Sequence, residues 1–114
     1  MRRIWNSIQE IFVTLNQYSI NYAILRNYEL LSDTKIFMHG HEDIDILCDD
    51  IALIKKILDT RKIYKFPGRN SYTILFNDVE IQIDIRYIGD GYYDTNWEKA
   101  ILKTKKMFND YIYV

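Results

Sequence analysis

Cysteine is nearly absent from this sequence: Cys48 stands alone among 114 residues. The chain therefore cannot close a disulfide on itself, and a reducing, cytoplasmic setting is expected. Long apolar runs are missing too. No segment approaches the roughly 20 consecutive apolar residues of a membrane-spanning helix, so no membrane association is expected. Met1-Arg2-Arg3 is basic, but an amphipathic pattern follows it where a signal peptide would carry an unbroken apolar core. Charge of one sign is not in excess either. A formal net charge of -1 gives no general attraction to nucleic acid or to an anionic membrane, and a polymeric nucleic-acid substrate is not favoured. No repeat, low-complexity tract or linker interrupts the chain. Residues 1–114 read as a single domain, large enough for a core but burying only about two thirds of its unfolded surface.

What is present is aliphatic, aromatic and regularly patterned. Ile4, Ile8, Ile11, Phe12 and Leu15 recur at helical spacing among polar residues, which predicts a helix over 3–17 with one buried stripe. Ile20 to Leu25 reads as a short buried strand that ends at Arg26-Asn27. Residues 28–40 are mixed in pattern and read as a connection, with room for one helical turn at Tyr28-Glu29-Leu30-Leu31 and turn chemistry at Ser32-Asp33-Thr34. His39-Gly40-His41 lacks the cysteine partners of a zinc site and reads as a polar loop. Asp49 and Asp50 suit a helix N-terminus, one of them as cap, ahead of the stripe Ile51, Ile54, Ile57 and Leu58. The helix ends near Asp59-Thr60.

Lys62 to Phe66 and Ser71 to Phe76 read as strands joined by the turn Pro67-Gly68-Arg69-Asn70. Asn77-Asp78 closes a tight hairpin into the strand that follows. Asp90-Gly91 makes another turn. Thr95 and Glu98 have capping-box spacing, which predicts a last helix carrying Trp97, Ile101, Leu102 and Phe108 inward. Tyr111 to Val114 reads as a strand. Ten tyrosines, several near the end of the chain, are placed to cover the sheet or to meet a partner. The expected fold is α+β, a small mixed or antiparallel sheet flanked by helices.

Two acidic strands draw the chemistry together. In His41-Glu42-Asp43-Ile44-Asp45-Ile46-Leu47-Cys48 the alternation turns Asp43 and Asp45 to one face and Ile44 and Ile46 to the other. In Val79-Glu80-Ile81-Gln82-Ile83-Asp84-Ile85-Arg86 it puts Glu80, Gln82, Asp84 and Arg86 on one face. Neighbouring carboxylates repel, and a divalent cation lets both stay ionised. If the two strands are neighbours, Asp84 approaches the Asp43/Asp45 pair and completes a three-carboxylate cluster suited to Mg²⁺ (or Mn²⁺). Lysines and arginines in the middle of the chain, Lys55, Lys56, Arg61, Lys62, Lys65 and Arg69, read as a solvated face; the sharper alternative is contact with a substrate phosphate, with Arg69 the best candidate.

The order of these parts, a helix, a strand ending in Leu25-Arg26, an Asp43-Ile44-Asp45 strand and an Asp84-Ile85-Arg86 strand, resembles the DNA polymerase beta-type nucleotidyltransferase superfamily, in particular its small bacterial nucleotidyltransferase-like domains. The likeness runs from about Ile20 to Leu102. It implies that Asp43 and Asp45 hold metal, that Asp84 is the third carboxylate near the attacking hydroxyl, and that two Mg²⁺ ions assist transfer of a nucleoside monophosphate from a nucleoside triphosphate to a hydroxyl acceptor. Where that family has Gly-Ser or Gly-Gly after the first strand, this chain has Arg26-Asn27. Arg26 by bidentate contact and Asn27 through its amide would then take over the triphosphate. Two further readings stand beside this one. The chain is a non-catalytic interaction module that keeps the fold, for example the antitoxin-like partner of a helical toxin, or it is an unrelated α+β domain whose aspartates decorate a solvated face.

Overall fold

A computed structural model of the chain describes residues 2–26, 43–63, 71–91, 94–109 and 112–114. The first element is a strand, β1 (Ile4–Trp5), and not the start of the expected helix. Ser7 separates the two: its backbone is extended (φ −153°) and its side chain accepts from the Glu10 N–H, so helical geometry starts only after it. Helix α1 is Ile8–Gln17 and buries Ile8, Ile11, Phe12 and Leu15. Ile4 falls out of that stripe and is 51 % exposed, while Trp5 is fully buried. Its indole N–H donates to the Leu58 carbonyl at 3.1 Å.

The short strand β2 (Tyr22–Ile24) runs antiparallel to β3 (Ile44–Cys48). Asp50 caps helix α2 (Ile51–Leu58) by accepting from the Leu53 N–H. Asp49 is not part of the cap and accepts from the Asn21 amide instead. The helix stops at Asp59, which is left-handed (φ 55°), and β4 (Arg61–Lys62) follows. Of the strand expected over 62–66, residues 64–66 lie outside the described residues, as do the turn 67–70 and the whole of the 28–40 connection.

β5 (Ser71–Phe76) and β6 (Val79–Tyr87) form a hairpin in which Phe76 pairs with Val79. Asn77 supplies the positive φ of the two-residue turn, 54°, a conformation asparagine tolerates better than most residues. Helix α3 (Thr95–Thr104) and a small ribbon, β7 (Met107–Phe108) with β8 (Ile112–Tyr113), complete the described chain. The capping box at Thr95 is not formed. Asp94 is the cap, accepting from the Trp97 N–H, which places Thr95 one step inside the helix. The phase shifts accordingly: Trp97 is 52 % exposed, and Glu98 is the side chain that goes inward, fully buried. Its Oε1 accepts from the Gly89 N–H. Phe108 lies in β7, half-buried, outside the helix.

The main sheet is mixed, in the order β1-β5-β6-β3-β2 with β4 also on β5. β3 and β6 are parallel neighbours, β5 and β6 antiparallel. One face carries Ile44, Ile46, Ile74, Ile81, Ile83 and Ile85 against the buried residues of α1 and α2, and this is the main core. Each such side chain contributes about 1.5–3 kcal/mol on full burial. α3 packs on the opposite face, where Ala23, Leu47 and Leu102 make a smaller cluster. It packs against β2 and β3 on that face. Tyr113 closes the β2 edge by standing edge-on to Tyr22, ring centroids 5.8 Å apart. No helix among the described residues is long and apolar enough to cross a membrane.

Candidate functional site

The face of the sheet opposite α1 and α2 carries the polar half of each alternating strand. β3 and β6 pair so that Asp45 stands directly across from Asp84. The hairpin continues the row, since Ser71 stands across from Asp84 on the other side. Ser71, Asp84 and Asp45 thus form one line across three strands. The Ser71 hydroxyl donates to Asp84 Oδ1 at 2.8 Å and the Gln82 amide donates to the same oxygen at 3.1 Å. Both bonds fix the rotamer of Asp84.

Asp45 is more enclosed. Its side chain is 13 % exposed, and Oδ2 meets Arg26 Nε at 3.2 Å, the arginine itself being 62 % exposed. Oδ1 is buried with no hydrogen-bond partner among the described residues. Burial pushes the Asp45 carboxyl above the usual carboxylate range; Arg26 opposes that, Asp84 reinforces it, and Arg86 and Asp43 act more weakly in opposite directions. The two expected carboxylate partners of Asp45 are therefore both felt electrostatically at its position. Asp43 lies just before β3 and is half-buried.

Glu80 faces the same way but is held apart from this row. It is paired with Arg2, whose other nitrogen donates to the Thr73 carbonyl and hydroxyl at 2.9 and 3.0 Å. No family model, curated protein or solved structure matches this chain.

Asp43, Asp45 and Asp84 offer hard, anionic oxygens, the donor type preferred by Mg²⁺ and Mn²⁺ over softer metals. The buried Asp45 Oδ1 is the oxygen most in need of a counter-charge. Against this, Arg26 already neutralises Oδ2, and among the described residues no group of three or more His, Cys, Asp or Glu is gathered closely enough to hold a metal. Of the residues expected to contact phosphate, Arg26 is at the site, whereas Asn27 and Arg69 lie outside the described residues, as do His39, His41 and Glu42.

Strand alternation puts Arg86 on the Asp84 face, but sequence reasoning gives neither Arg86 nor Ser71 a role at the site. The signal for Ser71 was available: once Asn77-Asp78 is read as a two-residue turn, counting outward along both strands sets Ser71 opposite Asp84. Arg86 stands opposite Leu47, one pleat from the acidic pair. Glu98 carried no signal, because its burial depends on where the last helix starts.

Proposed function

We propose that this chain is a nucleotidyltransferase-like domain that transfers a nucleoside monophosphate from a nucleoside triphosphate to a hydroxyl acceptor. The observation that carries the reading is the in-register Asp45/Asp84 pair on adjacent parallel strands, with Asp43 two residues before Asp45. Asp43, Asp45 and Asp84 would hold Mg²⁺ or Mn²⁺, which when bound supplies Lewis-acid stabilisation of the triphosphate and a lower pKa for the acceptor hydroxyl.

The chain's own residues have separate tasks. Ser71 and Gln82 keep Asp84 oriented toward the row, so that its carboxylate needs no reorganisation when charge develops nearby. Arg26 changes partner: its guanidinium neutralises Asp45 in the ligand-free chain and turns to a phosphate oxygen, an equally good bidentate acceptor, when the nucleotide arrives. Asn27 and Arg69 are the further phosphate contacts in this reading. The rigid sheet beneath aligns the acceptor oxygen with the α-phosphorus.

A second reading, a non-catalytic interaction module on the same fold, is favoured by the Arg26–Asp45 pair and the two hydrogen bonds to Asp84, which engage one oxygen of each carboxylate from within the chain. Calorimetric titration of the purified chain with each nucleoside triphosphate, with and without Mn²⁺, separates the two. Metal-dependent binding that disappears in Asp45→Ala and in Asp84→Ala is the expected outcome. Absence of any metal-dependent nucleotide binding refutes transfer and leaves the interaction module.

A further inference from the structure

Two large apolar side chains that stay outside the core meet at one recess. Tyr18, the residue after α1, is 60 % exposed, and Leu53 of α2 is 39 % exposed. Leu53 stands outside the stripe that packs on the sheet, but Lys56 and Ile57 follow it at three and four positions and so share its side of the helix. With Arg3 and Asp59 these residues line an open recess of about 470 Å³. Tyr18, Leu53 and Ile57 are its apolar members.

Its charge is positive. Asp59, the one carboxylate among the described lining residues, is already engaged: the Arg3 N–H donates to one of its oxygens at 2.6 Å and the Arg61 guanidinium to the other at 2.7 Å. Those bonds, the first more than the second, hold its carboxyl below the usual carboxylate range. The Arg3 guanidinium lies over the buried Trp5 ring, 4.0 Å from its centroid, which fixes one cation beside the apolar group. Lys56 supplies a second, exposed on its helix.

These features choose the class of occupant. A small molecule would be covered on one side only, because Tyr18 and Leu53 stand out into solvent, whereas small-molecule sites enclose roughly 70–90 % of their ligand. An anionic membrane meets the cations but is too broad to fill a concave recess. A second copy of the chain brings another Arg3 and Lys56 to the same surface. A protein segment with an apolar anchor and acidic neighbours meets every requirement, since tyrosine and arginine are enriched where proteins dock and opposite charge steers the encounter.

We infer that this recess docks an acidic amphipathic segment of another protein, with an apolar side chain seated on Tyr18, Leu53 and Ile57 and carboxylates meeting Arg3 and Lys56. The surface lies on the α1 and α2 side of the sheet, away from the carboxylate row. Its occupation stands whether or not that row transfers nucleotides.

The test is selection of random peptides displayed on phage against the whole chain. Enriched peptides are expected to combine a leucine or aromatic anchor with Asp or Glu, and synthetic copies to give saturable ¹H–¹⁵N shifts centred on Arg3, Tyr18, Leu53, Lys56 and Ile57. Kd should rise about tenfold or more in Tyr18→Ala/Leu53→Ala and about threefold or more in Lys56→Glu. Thermal melts establish that the variants fold; if the double variant does not, Lys56→Glu alone is used. No enrichment, enrichment of basic or uncharged sequences, shifts centred elsewhere, or affinities unchanged in the variants overturn the proposal. Sedimentation of the chain alone and with phosphatidylglycerol vesicles completes the test: self-association or vesicle binding that is lost in Tyr18→Ala/Leu53→Ala assigns the recess to a second copy or to a membrane, and overturns it equally.

Discussion

Asp45 is a carboxylate whose surroundings favour its neutral form, and the sign of the consequence follows from linkage. Its folded pKa lies above the unfolded value, mainly through burial, so between those two values the folded chain binds more protons than the unfolded one. Stability from this group is complete below the unfolded value, about 3.9, and is lost as pH rises through the folded value. In metal-free buffer, Asp45→Asn is therefore expected to raise Tm at pH 7, and the gain over the parent chain shrinks toward pH 4; a lower Tm at pH 7 contradicts the assignment. The exposed Arg26 contributes little by comparison, since an ion pair of that kind is worth about 0–1 kcal/mol. Ser71 acts by hydrogen bonding. Ser71→Ala removes the 2.8 Å bond to Asp84 and should lower unfolding free energy by about 1 kcal/mol in urea melts.

Helix and strand boundaries turn on single positions. Ser7 divides what periodicity reads as one helix, and its replacement by alanine is expected to cost about 1 kcal/mol by removing the cap. The segment before it gains more from the sheet than from helix: β1 pairs with Leu75 and Phe76 and sets Trp5 into the core. Trp5→Ala should destabilise by about 3–5 kcal/mol and accelerate amide exchange in β5 as well as in β1. At the hairpin, Asn77 has positive φ and its N–H donates to the Trp5 carbonyl at 2.8 Å. Asn77→Gly keeps that donor and removes the cost of the left-handed backbone, so a gain of about 0.5 kcal/mol is expected. A similar one-residue effect misplaced the last helix: with Asp94 rather than Thr95 as cap, Trp97 turns outward and Glu98 inward.

Across the whole molecule the mixed sheet is a partition, with the main aliphatic core on one side and the carboxylate row beside a smaller apolar cluster on the other. A cation bound only by the folded chain raises stability by RT ln(1 + [L]/Kd), about 2.7 kcal/mol at one hundred times Kd. If Asp43, Asp45 and Asp84 act as proposed, Tm rises with Mn²⁺ concentration, and the rise is lost in Asp84→Asn.

Alternation and turns are local, and they were readable along the chain: the Asp45 and Asp84 strands, a cap at one of Asp49 and Asp50, the hairpin at Asn77 and the α+β class all follow from the chemistry of a few adjacent residues, whereas the caps at Ser7 and Asp94 were not read. Adjacency between segments far apart is different in kind. That β3 lies parallel to β6 with Asp45 facing Asp84 and that Arg26 reaches Asp45 are results of long-range burial. The main apolar face of the strands is covered by the stripes of α1 and α2, and that packing leaves the polar side chains to meet on the opposite face.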